Sequence, residues 1–262
     1  MKLFFFDIDG TIIDCPNKIY VPTEKTISAL KQLKAQGHKV FICSGRPYYF
    51  LDSSLKTSLF DGFVNSNGAI IREDDKILHK DVFPKKYILK FMEYAKKYHF
   101  SLMLEDQDDY YIYNGDCPCL AKFAKMYNIP FDESKLNDEV LDKTIMKMSI
   151  YFHDMENFDI SWMKEFPTLR ARYLKFGAFD IDSNVINKGT AVKFLQEYHH
   201  VKDEDLYAFG DGENDIEMLE ACQNSVSMGV ANELVQSKAK YHTLDVAHEG
   251  VYDFLKKAKL VK

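Results

Sequence analysis

The sequence predicts an α/β protein whose parallel-sheet core is interrupted by an inserted α+β domain. Short, almost wholly apolar runs alternate with amphipathic stretches through the first third, the pattern left by strands buried on both faces and their crossover helices. One more run of that kind returns only near the far end, at Leu206 to Phe209. Between Val82 and about Ser183 the texture changes to longer helical stretches and strands rich in Tyr, Phe and Met. A chain of 262 residues is long enough for two domains with real cores. The expected division is 1–81 and 184–262 for the core and 82–183 for the insert, with linkers near 79–84 and 182–187.

Taken in order, Lys2 to Phe6 reads as a buried strand. Thr23 to Gln36 places Ile27, Leu30, Leu33 and Lys34 at helical spacing, with Thr23 and Glu24 as start signals and Gly37 as the stop. Lys39 to Cys43 and Gly62 to Asn65 are further short apolar strands. In the insert, Lys85 to His99 puts Ile88, Phe91, Met92, Ala95 and Tyr98 on one helical face, and Tyr110 to Tyr113 reads as a strand. Leu120 to Tyr127 and Phe158 to Phe166 look helical, Met146 to Phe152 and Arg172 to Phe176 extended. A helix opening at Asn187-Lys188-Gly189 precedes the last core strand, Leu206 to Phe209.

Composition removes several classes of function. Forty acidic against 34 basic side chains leave a formal charge of −6, with no Lys/Arg-rich run, which argues against coating nucleic acid or an anionic membrane. No apolar run approaches a membrane span, and Asp7 cuts off the initial LFFF before a signal-peptide core forms, so the chain is expected to be cytoplasmic, a monomer or weak homodimer. Its five cysteines (Cys15, Cys43, Cys117, Cys119, Cys222) are odd in number and sparse, as expected of reduced thiols. Cys117-Pro118-Cys119 lacks the second Cys/His pair that a zinc site needs.

In open parallel sheets, ligands bind at the carboxyl ends of the strands. Each apolar run here gives way to a polar and specific segment: Asp7-Ile8-Asp9-Gly10-Thr11, then Ser44-Gly45-Arg46, then Asn65-Ser66-Asn67-Gly68, and finally Gly210-Asp211-Gly212-Glu213-Asn214-Asp215. With Lys188 in NKGTAV, these segments resemble, in type and order, the four motifs of the haloacid dehalogenase (HAD) superfamily phosphatases, and within them the Cof-type, subclass IIB branch. The resemblance spans essentially the whole chain. It implies a Rossmann-like core with a C2-type cap as the insert, and a Mg²⁺-dependent phosphatase acting on small phosphorylated metabolites, with sugar phosphates as the expected substrates.

The residues themselves suit that chemistry. A carboxylate can attack a phosphoryl group to give an aspartyl phosphate, splitting one hard hydrolysis into two easier steps, and Asp7 is the first residue past a buried strand. Two charge pairs near 4 Å at an effective dielectric of about 20 repel by about 8 kcal/mol, so cations are required. Asp7, Asp9, Asp211 and Asp215 against Lys188 and Arg46 leave a deficit that one divalent ion fills, and an all-oxygen donor set selects Mg²⁺. The resemblance implies metal ligation by the Asp7 side chain, the Asp9 backbone carbonyl and the Asp211 side chain. Asp9 is then free as general acid and base. Ser44, the Gly45 amide and a following helix start would form an anion site for the phosphoryl oxygens, with Lys188 and, by resemblance, Asn214 also reaching them. Asp215, Thr11 and Arg46 would support the site from around it, Asp215 steadying metal and lysine.

Duller readings stand beside these. Arg46 reads equally well as a structural ion pair, Ser44 as a helix cap, and Asn67 as a turn residue. His199-His200 reads as solvent-facing at a helix end. Cap candidates for substrate contact are Glu105, Asp106, Asp108, Tyr110 and Arg172, the first three reading better as a solvated acidic turn. A phosphomutase would use the same aspartyl phosphate but return the group to a sugar. A phospho-Asp sensor would not turn over, and Asp9 argues against it.

Overall fold

A computed structural model describes residues 1–74, 76–126 and 143–262. The chain divides into two compact units: Met1–Arg46, Leu51–His79 and Asn187–Lys262 form one, Pro47–Phe50 and Lys80–Ile186 the other. The division therefore falls at 79/80 and 186/187, and four residues after Arg46 go with the second unit.

The first unit is built on β1 (Leu3–Phe6), α1 (Glu24–Ala35), β2 (Lys39–Cys43), β3 (Gly62–Asn65), β4 (Ile70–Glu73) and β5 (Lys76–Lys80). After the insert it resumes with α4 (Lys188–Tyr198), β11 (Leu206–Gly210), α5 (Ile216–Ala221), β12 (Asn224–Ser227), α6 (Glu233–Lys238), β13 (Tyr241–His242) and α7 (Gly250–Lys257). Its eight-stranded sheet runs β13-β12-β11-β1-β2-β3-β4-β5, parallel from β13 through β3, with β4 antiparallel to β3. β1 lies at the centre because Leu3, Phe4, Phe5 and Phe6 are all fully buried. Each such phenylalanine contributes about 1.5–3 kcal/mol of burial, which only a strand covered on both faces collects. Leu3 and Phe6 stand level with Leu206 and Phe209 on one side and with Lys39 and Ile42 on the other, so these strands end together. Thr23 caps α1 by accepting from the Thr26 amide at 3.2 Å, as its sequence predicts.

The second unit contains α2 (Lys85–Tyr98), β6 (Phe100–Glu105), β7 (Tyr110–Tyr113), α3 (Pro118–Met126), β8 (Lys147–Phe152), β9 (Leu169–Tyr173) and β10 (Ala178–Ser183). Its antiparallel sheet runs β7-β6-β8-β10-β9. One face packs Leu102, Leu104, Met148, Ile150 and Phe179 against Phe91 and Trp162. This is the inserted α+β cap domain.

Three expectations need correction. Phe158 to Phe166 is not a helix but a short 3₁₀ turn at Ser161–Glu165: Asp159 accepts from the Ser161 amide through its side chain and from the Trp162 indole through its carbonyl, which turns the chain locally instead. The strand expected at Arg172 to Phe176 lies at Leu169–Tyr173, since Phe176 turns with φ 54°. His199 is not solvent-facing; its side chain is 10% exposed, with Nε2 3.0 Å from Glu73. The expected end of the third helix at Tyr127 lies outside the described residues. Among those residues no helix is long and apolar enough to cross a membrane.

Candidate active site

The in-step ends of β11, β1, β2 and β3 bring four loops side by side at the carboxyl edge of the sheet. β1 has β11 on one side and β2 on the other, so the chain's path reverses here and the loops open a crevice between them. Asp7 leaves β1 with its amide still bonded to the Phe209 carbonyl at 3.0 Å. Ser44 leaves β2 with its amide on the Val64 carbonyl at 2.8 Å. Thus the ladder extends one residue into each loop.

Lys188 occupies the first turn of α4, where the helix dipole opposes a cation, and it is fully buried. Two carboxylates offset both penalties. Its Nζ donates to Asp7 Oδ1 at 2.6 Å and to Asp215 Oδ1 at 2.5 Å. Burial works to lower the lysine's pKa, but Asp215 and Asp7 more than reverse this and hold it protonated. Asp215 has its other oxygen on the amides of Asp211 and Gly212, both at 2.9 Å, so it shapes the loop after β11 while gripping the lysine. Carboxylate oxygens of Asp7, Asp211 and Asp215 lie within 4.8 Å of one another. Thr11 donates to Asp211 at 3.3 Å.

One ammonium group does not balance three carboxylates, two of them buried and the third, Asp211, half-buried. Burial, then Asp215, push the Asp7 carboxyl up from 3.8 to about 7 against the pull of Lys188. Burial, then Asp7 and Asp215, push Asp211 up to about 9. This all-oxygen cluster could hold a metal ion, and its uncompensated charge is what a hard divalent cation would offset. Gly10 is required beside it: φ is +85°, and a Cβ there would lie 2.2 Å from Asp211 Oδ2.

The Asp9 carboxylate is not in that cluster. It faces Arg46, whose Nε and Nη2 donate to its two oxygens at 2.7 and 2.6 Å. Ser44 Oγ accepts from the Arg46 amide at 3.1 Å. No α-helix follows Ser44, only a three-residue 3₁₀ turn at Tyr48–Phe50, so the expected helix start is absent and no α-helix dipole reinforces the Gly45 amide. Asn214 donates to Asn67 at 3.3 Å, which draws the loops after β11 and β3 together. Asn65, read from sequence only as a strand end, is fully buried and donates to the Arg46 carbonyl at 2.9 Å. Nothing in the sequence pattern marks that role, since an Asn closing a buried strand is ordinary turn chemistry.

Within the second unit, Glu105 does not belong to a solvated turn. It is buried, 3.1 Å from Lys147, and accepts from the Tyr49 hydroxyl at 3.3 Å. Asp108 is exposed, and Arg172 pairs with Asp182 at 3.3 Å. Cys117 and Cys119 are buried thiols donating to the carbonyls of Phe152 and Phe176.

A family of haloacid dehalogenase-like hydrolases matches residues 4–255. YkrA of Bacillus subtilis is 27% identical over 263 residues, covering 100% of this chain and 99% of YkrA. The 5-amino-6-(5-phospho-D-ribitylamino)uracil phosphatase YitU of the same organism is 26% identical over 269 residues, 97% of this chain and 96% of YitU. Among solved structures, BT1666 of Bacteroides thetaiotaomicron, from an analysis of HAD phosphatases, is 28% identical with a TM-score of 0.86, covering 100% of this chain and 96% of BT1666. The chain therefore belongs to the haloacid dehalogenase-like hydrolase family, as a phosphatase of its Cof-type branch.

Proposed function

We propose that this phosphatase hydrolyses small phosphorylated metabolites, sugar phosphates and phosphorylated polyols among them, through an aspartyl phosphate on Asp7, with Mg²⁺ in the Asp7/Asp211 cluster. The observation that carries the reading is the gathering of Lys188 and Asp211 about Asp7, the lysine bonded to it and the second carboxylate close beside it. Asp7 keeps Oδ1 on Lys188, which leaves Oδ2 to attack phosphorus while the ammonium offsets the charge building on the transferring group. Asp9 hands a proton to the departing oxygen and then takes one from the water that opens the aspartyl phosphate. The Ser44 hydroxyl, the Gly45 amide and Asn214 hold phosphoryl oxygens, and Asp215 keeps Lys188 aimed. Mg²⁺ would be held by the Asp7 and Asp211 side chains and the Asp9 carbonyl, and when bound it neutralises and orients the phosphoryl group.

YitU, by its name, acts on a phosphoribityl compound, which supports the polyol class. Five free thiols suit work in the cytoplasm. Release of inorganic phosphate from a panel of phosphorylated metabolites, with Mg²⁺ and with a chelator, tests the reading. Asp7→Asn is expected to fold and release none. Activity surviving that change, or full activity in the chelator, refutes it.

A further inference from the structure

Arg46 is built into the site more firmly than a surface ion pair requires. Its two donors take the two oxygens of Asp9 separately, a fork on a carboxylate that sets orientation as well as distance because both groups are planar. The backbone carrying it is fixed three ways. Its amide donates to Ser44 Oγ, and its carbonyl accepts from buried Asn65 at 2.9 Å and from the Ser66 amide at 3.4 Å. Ser66 and Asn67 adopt φ of 51° and 53°, left-handed conformations unfavourable for side chains other than glycine's, and the loop they form laces onto the Ser44 to Arg46 segment, with the Asn67 amide on the Ser44 carbonyl at 3.1 Å. A solvent-exposed ion pair contributes too little to need such a mounting.

We propose that Arg46 is the positioning residue for Asp9: held by the loops after β2 and β3, its guanidinium aims Asp9 by one oxygen while the other, protonated, gives its proton to the leaving oxygen, and the ionised carboxylate left behind closes the two-donor fork seen here. This rests on the phosphatase reading of the same site. Arg46 acts through Asp9, so its importance scales with how much the leaving group needs a proton. A nitrophenolate departs without one, and an alkoxide does not. Were Arg46 a phosphate ligand or a strut, its loss would fall on every ester alike.

The test compares kcat/KM, which reports phosphoryl transfer to Asp7, on p-nitrophenyl phosphate and on glycerol phosphate, for wild type, Arg46→Gln, Asp9→Asn and the double variant, with Mg²⁺ present. Arg46→Gln is expected to lose at least about tenfold more on the alkyl ester than on the aryl ester, a fraction of the 10² to 10⁴ that general acid catalysis supplies. In the Asp9→Asn background, the same substitution is expected to add no ester-selective loss. Equal losses on both esters, no loss on either, or a selective loss that persists without Asp9 overturns the assignment. If the glutamine variant does not fold, Arg46→Lys is judged by the same criterion, since it keeps the charge and removes the fork. A wild-type chain inactive on both esters refutes the phosphatase reading itself, whereas equal losses in an active enzyme refute only the role of Arg46.

Discussion

Metal-free protein should lose stability as pH rises through neutrality, the reverse of what ion-paired carboxylates usually do. Asp7 is 6% exposed and its carboxyl is raised from 3.8 to about 7, by burial first and by Asp215 next. Below pH 3.8 both folded and unfolded chains hold that proton. Between 3.8 and 7 only the folded chain holds it, so unfolding releases a proton and stability falls by about 1.4 kcal/mol per pH unit. Above 7 the dependence on Asp7 ends. The whole window amounts to about 4 kcal/mol, a large share of the roughly 5–15 kcal/mol that holds a domain folded. Asp211 carries the same sign up to about 9, though the two carboxylates repel each other and titrate as a set. The perturbation is Asp7→Asn, which keeps the shape and removes the titration. Urea unfolding at pH 5 and pH 8 in a chelator, then with Mg²⁺, reads it. Wild type should lose about 3 kcal/mol more than the variant between those two values, and Mg²⁺ should restore most of that in wild type and little in the variant. Parallel losses in the two proteins, or equal rescue by Mg²⁺, would refute the claim that buried negative charge is what the cation offsets.

The parts of the fold legible in the sequence are those where one force decides the local pattern. Leu3 to Phe6 can only be a strand covered on both faces, and Thr23 ahead of Glu24 starts α1 because a hydroxyl satisfies an orphan amide. Ser161 to Glu165 shows the opposite case. Its apolar spacing is helical, yet Asp159 and the burial of Trp162 decide the backbone, and neither is visible as periodicity. Of the candidate site, Asp7, Ser44, Lys188 and Asp211 are readable as candidates because each stands where a strand end or helix start meets a motif, and the structure brings Asp7, Lys188 and Asp211 together. The Asp9–Arg46 fork is not readable, since residues 37 apart in the chain meet only when the sheet fixes the spacing of its loops. Glu105 misled for a related reason: the acidic run Glu105-Asp106-Gln107-Asp108-Asp109 reads as a solvated turn, but its first member pairs across the sheet with Lys147, and that register is set by β8 rather than by its own neighbours.

Two further substitutions probe the cluster. Gly10→Ala drives a Cβ to 2.2 Å from Asp211 Oδ2 at a φ of +85°, so it should cost about 1–3 kcal/mol in urea unfolding and raise the Mg²⁺ concentration needed for half activity; an unchanged Mg²⁺ requirement would show that Asp211 is not a ligand. Lys188→Met replaces a fully buried ammonium by a chain of similar bulk, stranding Asp7 and Asp215 without their shared cation. Leaving buried charge unpaired costs about 3–5 kcal/mol, so phosphate release should vanish and unfolding should come at clearly lower urea near pH 8. The size of that penalty should itself depend on pH. Near pH 4 Asp7, whose carboxyl burial already pushes up to about 7, is protonated, so less charge is left unpaired and the variant recovers part of its deficit relative to wild type. A deficit of the same size at pH 4 and pH 8 would mean that the lysine fills space at the heart of the site and that its charge compensates nothing.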